Sequence, residues 1–217
     1  MQKLKNKQNK STILRDALAL FVISLISILA LSFVYEITKE PIAQQAMKKK
    51  LEAYQVVYQE ASTLKEDAEL MQLASEADLA SLDATFKDAT IDEVNQAFDA
   101  NDNLIGYIVK VSTKGYKDVI SLVLGYSLDG TVKGLEIIAI NDTAGLGDRV
   151  ALPDFKDQFI NKSVDKFVST KTGAAADNEI NAVSGATVST DAVVNAVNAG
   201  IGFLTEYSAD LGGGANE

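Results

Sequence analysis

Apolar and polar positions divide the chain into stretches of different period. From Ala17 to Tyr35 (ALALFVISLISILALSFVY) 19 consecutive positions carry no charge. As a helix this run spans roughly 28 Å at about 1.5 Å per residue, close to the thickness of a bilayer core. Residues 1–16 form a polar tail ahead of it. Residues 36–83 are rich in Ala, Glu, Gln, Lys and Leu, with apolar positions at Leu51, Tyr54, Val57, Tyr58, Leu64, Leu70, Leu73 and Leu79. That spacing, with strong helix formers between, predicts a helical stalk. Pro41 is expected to close the membrane helix and open the next one.

Within 84–207 the period falls towards two. Leu104–Val111, Val119–Tyr126 and Val132–Ile140 are short apolar or alternating runs, separated by Lys114-Gly115 and by Leu128-Asp129-Gly130. They predict an antiparallel meander of three strands, with Asp129-Gly130 a hairpin turn. A glycine-containing loop, Asn141–Arg149, leads to a helical segment, Pro153–Ile160. Phe167-Val168, a small-residue loop at 172–176 and a short Glu179–Val183 segment follow. Val193, Val194, Val197, Ile201 and Leu204 recur at helical spacing and predict a last helix over Asp191–Leu204 with one buried face. Residues 208–217, ending in three glycines, read as a flexible tail. The expected class is α+β: one transmembrane helix, a helical stalk, then an antiparallel-sheet domain flanked by helices.

Charge orients the membrane helix. Lys3, Lys5, Lys7, Lys10 and Arg15 precede it against a single acid, Asp16, so the N-terminus is expected in the cytoplasm and the domain outside a single-pass anchor in the cell membrane. A cleaved signal peptide is the competing reading, but its apolar core is shorter and ends at small residues, whereas this run leads into Glu36-Ile37-Thr38-Lys39-Glu40. Ser24, Ser27 and Ser32 suit a membrane helix, where their hydroxyls bond back to the preceding turn or mark a face that meets other helices. No acid lies inside the span, so an ion path through this helix is not expected. Of the 30 acidic residues 29 lie past the span, which argues against nucleic acid as a partner of the exported part.

Composition then narrows the chemistry. The chain has no His and no Cys. Disulfides, iron–sulfur clusters, His- or Cys-ligated haem, type I copper, the usual structural zinc, thiol nucleophiles and Ser-His-Asp catalysis are excluded together. No metal site and no catalytic residue of its own is expected. Redox chemistry here would need an organic cofactor held by oxygen and backbone groups.

Ser184-Gly185-Ala186-Thr187-Val188-Ser189-Thr190 sets a small-residue turn with several hydroxyls at the start of the last helix. Gly185 and Ala186 allow close approach of the backbone, and unpaired amides at a helix N-terminus favour an anion such as phosphate. On spacing alone an ordinary N-cap by Ser189, Thr190 or Asp191 is the commoner meaning of such a turn. The Asn141–Arg149 loop carries Gly145-Leu146-Gly147 at a strand end. No third glycine of a dinucleotide fingerprint follows, but the position suits a ligand-contact loop.

One membrane helix, an exported meander, a Gly-Leu-Gly loop after its third strand and Ser184-Gly185-Ala186-Thr187 before the last helix together resemble the G subunit of Rnf-type ion-translocating electron-transport complexes. That family is related to the C subunit of sodium-translocating NADH:quinone reductase, and the resemblance covers nearly the whole chain. It implies an FMN-binding domain in which Thr187 carries FMN through a phosphodiester bond made by a separate flavin transferase. Ser184, Gly185, Ala186, Val188 and Ser189, with Thr143, Gly145, Leu146 and Gly147, would surround the cofactor. Three positions depart from the family pattern: Asp142 stands for Glu, Ala144 for Pro, and Asn181 for the Asp six residues before the threonine. The implied function is electron relay within a translocase coupling redox energy to Na⁺ or H⁺ movement. Its partners would be other membrane subunits, one bearing a second flavin. A free-standing extracellular FMN module, or a non-redox anchored binding or assembly domain in which 184–190 is a plain cap, are the other readings.

Overall fold

The computed structural model describes residues 2–211, which form two compact units that divide between Lys48 and Lys49. The first is made by α1, a helix that runs Gln2–Val57. Its stretch Thr12–Ile42, 31 residues with mean hydropathy 2.8, is long and apolar enough to cross a membrane. The apolar side chains of this stretch, from Leu18 to Val34, lie open. Lipid would cover such a surface. Ser27 donates to Ile23 O at 2.9 Å and Thr38 to Val34 O at 2.8 Å, the back-bonding that lets hydroxyls sit in an apolar helix. The expected break at Pro41 is absent, since the helix continues through it. A proline removes one backbone donor from the ladder, and the helix-forming residues on both sides carry the helix past that loss.

The segment expected to be a helical stalk is divided. Its later part is built into the second unit as the end of α1, a strand β1 (Thr63–Glu66) and two helices, α2 (Ala68–Glu76) and α3 (Leu79–Leu82). Asp67 and Asp78 cap the two helices, accepting from Leu70 N and Ala80 N. Then come β2 (Ala89–Phe98), β3 (Leu104–Lys114), β4 (Val119–Ser127) and β5 (Val132–Ala139). The sheet is antiparallel, in the order β1-β2-β3-β4-β5, so the expected meander is its last three strands. The two additional strands left little pattern in the sequence. β1 is a polar edge strand, and a register shift between Ile91 and Glu93 breaks the alternation of β2.

Alternation assigns the two faces of the sheet. Tyr107, Val109 and Val111 of β3 and Ile120, Leu122 and Leu124 of β4 enter the main core. Ile108 and Val123, one position out of phase, pack on the other face against Ala53, Tyr54, Val57 and Tyr58 at the end of α1. Glycines make that second contact possible. A Cβ on Gly125 would lie 2.3 Å from Val57 O, and one on Gly134, the cross-strand partner of Gly125, would lie 2.5 Å from Val57 Cα. The Tyr58 hydroxyl donates to Ile105 O at 2.7 Å, and the Tyr54 hydroxyl donates to Glu93 at 2.8 Å. Lys50 pairs with the same Glu93 carboxylate.

After β5 the chain passes through a 3-10 turn at Gly147–Ala151, a short helix α4 (Pro153–Lys156), a second 3-10 turn at Asp157–Phe159 and strands β6 (Val168–Thr170) and β7 (Glu179–Asn181), which pair in parallel. The last helix, α5, runs Thr187–Leu211. It begins four residues before the expected start and passes through the first part of the expected tail; residues 212–217 lie outside the described residues. Val193, Val197, Phe203 and Leu204 of α5 are fully buried in the main core. Buried Asn198 donates to Phe167 O and accepts from Phe167 N, both at 2.8 Å. Phe155, Phe159 and Phe167 stack edge-on beside it, with centroids 5.6 and 5.0 Å apart.

Candidate functional site

The N-terminus of α5 is shaped by the residues just before it. Gly185 has φ +79°, a left-handed conformation that side-chain-bearing residues rarely adopt. The turn closes with Ala186 N donating to Val183 O at 3.0 Å, and the first helical bond is Thr190 N to Ala186 O at 2.9 Å. Thr190, fully buried, accepts from Val183 N at 3.1 Å and locks the turn from behind. The backbone N–H groups of Thr187, Val188 and Ser189 therefore have no hydrogen-bond acceptor among the described residues. Three open amides at the start of a 25-residue helix favour an anion. An N-cap by Ser189, Thr190 or Asp191 is not what forms: Ser189 and Asp191 bond to other elements, and Thr190 accepts from upstream.

The loop after β5 closes on this turn. Asp142 accepts from Thr143 N at 2.7 Å through one oxygen and from the Ser189 hydroxyl at 2.6 Å through the other. Gly147 is needed for that arrangement, because a Cβ there would lie 2.5 Å from Asp142 Cγ. Gly145 is needed for its backbone, at φ +75°. A Cβ on Gly185 would approach Leu146 Cδ2 to 3.1 Å, so the loop and the turn are in contact. Aspartate in place of glutamate at 142 thus holds a specific bond to the last helix.

Between them lies a cleft of about 480 Å³ lined by Thr143, Leu146, Gly147, Gly185, Ala186, Thr187, Val188 and Ser189, with Asp142 and Tyr116. Eight of the residues singled out in the sequence meet there; Ser184 and Gly145 adjoin it without lining it. Its size falls in the usual range of ligand cavities, roughly 300–1,000 Å³. A larger groove of about 610 Å³, between Phe86, Tyr126 and the C-terminal half of α5, contains none of them. Thr187 is half-buried, and its hydroxyl is bonded to none of the described residues. The cleft therefore offers a free hydroxyl beside three free amides, together with the side chains of Leu146, Val188 and Tyr116.

Asn181, the departure closest to the motif, has a clear structural task. Its side-chain oxygen accepts from Ala174 N at 2.7 Å, and its backbone N–H donates to Gln158 at 2.7 Å. Glu179 accepts from Ala175 N at 2.6 Å and Ala176 N at 3.2 Å, bonds that hold its carboxyl below the ordinary range. Together they pin the small-residue loop at 172–176. Asparagine supplies the acceptor that aspartate would supply. Neither this loop clamp nor the Asp142–Ser189 bond is visible in local sequence, because each joins segments by contact across space. Tyr116 was hidden for the same reason: at the level of sequence it is one residue of a turn.

The lining of the cleft brings unbonded amides, a free hydroxyl and apolar side chains together, and residues 115–202, which include all of that lining, match the FMN-binding domain family. Residues 1–57 match the RnfG N-terminal region. These two matches take in α1 and the part of the second unit from the β3–β4 turn into α5. It is 32% identical over 108 residues to the G subunit of the ion-translocating oxidoreductase complex of Methanosarcina acetivorans, a match that covers 49% of this chain and 55% of that one; the chain spans about half the length of that relative. To its counterpart of the same name in Shewanella amazonensis it is 28% identical over 211 residues, 93% of this chain and 92% of that one. Among solved structures, the crystal structure of Shewanella oneidensis NqrC is similar with a TM-score of 0.46 and 23% identity, over 54% of this chain and 61% of that one.

Proposed function

We propose that this chain is a membrane-anchored flavoprotein subunit that relays electrons through FMN linked covalently to Thr187, within a multi-subunit complex that couples electron transfer to Na⁺ or H⁺ translocation. The observation that carries the reading is the unbonded Thr187 hydroxyl beside the open amides of Thr187, Val188 and Ser189, in a cleft bounded by the Gly145-Leu146-Gly147 loop. A phosphodiester needs a free hydroxyl for the ester bond and donors for the two non-bridging oxygens that share its single negative charge. Both are available at the same turn.

Each residue then has a role. Thr187 Oγ1 would take the flavin phosphate from an activated flavin phosphoester held by the transferase: the new P–O bond would form as the bond from phosphorus to the leaving group breaks, and the hydroxyl proton would depart with that group. Gly185 allows the turn that opens the amides, and Ala186 keeps the approach clear of side-chain bulk. Asp142 holds Ser189 and the loop start together, so that Thr143, Leu146 and Gly147 stay against the cofactor. Ser184 lies exposed at the rim, where a maturing enzyme can reach the motif. FMN supplies the one- and two-electron chemistry; the protein supplies its position and surroundings. A covalent tether also suits the outer face of a membrane, where free flavin is not replenished.

The apolar stretch of α1 anchors the protein as a single pass, with the basic N-terminus in the cytoplasm and the flavin domain outside. Ion movement belongs to partner subunits, because no acid stands inside the charge-free run Ala17–Tyr35. Gentle detergent extraction from native membranes tests the assembly. The chain is expected to copurify with other membrane subunits and to keep its flavin fluorescence in a denaturing gel. A chain that purifies alone and colourless would contradict the proposal.

A further inference from the structure

The groove of about 610 Å³ beside the C-terminal half of α5 is larger than the cleft and shares no lining residue with it. One wall is a single face of α5, where Asn198, Ile201, Gly202, Thr205 and Glu206 recur at helical spacing. Three other segments complete it: the end of α3 with the turn after it, the β4–β5 hairpin at Asp129-Gly130, and Ser163–Lys166 ahead of β6. Its apolar lining comes from Leu82, Phe86, Tyr126, Val164 and Ile201. Its charged lining is four carboxylates, Asp83, Asp129, Asp165 and Glu206, against one cation, Lys166.

That cation is already engaged. Lys166 pairs with Asp83, and its ammonium lies 5.8 Å from the centroid of the Phe86 ring. Asp129 is held within its own hairpin by the Ser127 hydroxyl and Thr131 N. Asp165 and Glu206 are exposed and take no ion pair or hydrogen bond among the described residues. Burial foremost holds the Tyr126 hydroxyl above its ordinary value, and Asp165 and Asp129 push it the same way. Their field therefore reaches into the groove. Lys166 shows how a cation is received there, with a carboxylate on the ammonium and a ring at its flank. A second lysine or arginine has the shape to repeat this, with an apolar stem and a charged head.

We propose that this groove is a docking surface for a partner protein, which enters it with a lysine or arginine whose head meets Asp165 and Glu206 and whose stem lies on the apolar lining. The proposal extends the assembly part of the reading above and does not depend on the flavin. Apolar lining within a charged rim is the layout of a protein interface, in which charge selects the partner and speeds the encounter. Leu128, 58% exposed on the same hairpin, adds uncovered apolar surface next to the groove. Asn198 follows Ser189 by nine residues of α5, roughly 14 Å at about 1.5 Å per residue, so groove and cleft can be filled together.

Photocrosslinking in native membranes tests the surface. The full chain carries benzoylphenylalanine in place of Ser163 or Leu128, and the irradiated adducts are digested and sequenced by mass spectrometry. An adduct with another protein is expected, its linked peptide bearing Lys or Arg. Asp165→Lys combined with Glu206→Lys is expected to lower its yield about tenfold or more, because like charges facing across an interface repel. Asp165→Asn with Glu206→Gln should lower it several-fold. Both double variants should keep the circular dichroism of wild type, since neither carboxylate bonds within the described chain.

No adduct at either position, an adduct with a second copy of this chain, a linked peptide without a basic residue, or a yield unchanged in both double variants would overturn the proposal. Spermidine serves as the probe for a small cation: a rise in Tm confined to wild type, with no protein adduct, would assign the groove to such a ligand and overturn docking. Membrane subunits that copurify equally with wild type and both double variants would overturn the groove and leave the assembly standing. A wild-type chain that purifies alone would overturn both.

Discussion

At the residue scale the site depends on a few polar contacts between segments far apart in the chain. The Ser189–Asp142 hydrogen bond, at 2.6 Å, joins the first turn of the last helix to the loop after β5. Removing it by Ser189→Ala is expected to cost about 1–2 kcal/mol, the net worth of a hydrogen bond to a partly exposed carboxylate, measured by urea unfolding of the full chain. Unchanged stability together with unchanged flavin loading would show that the clamp is idle. Gly147→Ala is expected to be worse for the site than for the fold, because its Cβ would displace the Asp142 carboxylate by direct overlap. Loading with FMN should then fall several-fold while the circular dichroism of the domain persists. The Ser-Gly-Ala-Thr turn and the Gly-Leu-Gly loop were legible in sequence, since each is a local pattern with its own backbone requirement. Their mutual contact, and Tyr116 beside them, were not; no local pattern encodes a distance between residues 116, 142 and 189.

At the scale of elements, glycine decides how the end of α1 meets the sheet. Gly125 and Gly134 face each other on β4 and β5 and leave room for the Val57 backbone. Gly125→Ala would set a Cβ 2.3 Å from a backbone oxygen. Overpacking of that kind typically costs about 1–3 kcal/mol, seen as a lowered unfolding midpoint; a stable variant would mean that the helix end is free to shift. Tyr58 gives the same contact a pH dependence. Burial foremost, with Glu60 and Asp129 nearby, pushes its hydroxyl up to about 12 from an ordinary value of 10. A raised acid favours the folded state while it stays protonated, so this contribution is complete below pH 10 and is lost as pH rises towards 12. Tyr58→Phe is expected to flatten the stability profile in that window. Periodicity made the central strands and the last helix legible. It was silent about β1 and β2, where polar edge positions and a bulge interrupt the alternation, and it overstated Pro41, which removes one bond from a helix whose neighbours are strong helix formers.

For the molecule as a whole, an apolar helix and a domain without His or Cys confine redox chemistry to a bound organic group. Membrane anchoring predicts that the chain stays in the pellet when native membranes are washed with alkaline carbonate; release into the supernatant would remove the anchor from the account. Sequence composition already limited the chemistry, while the meeting of the helix N-terminus, the loop and the turn around one cleft became visible only in three dimensions. The claim on which the rest depends is the bond at Thr187. Intact-mass measurement of the full chain produced with a flavin transferase, wild type beside Thr187→Ala, addresses it directly. Wild type is expected to gain the mass of one FMN less one water and the variant to gain nothing. An unmodified wild type, or an equal gain in Thr187→Ala, would contradict the account.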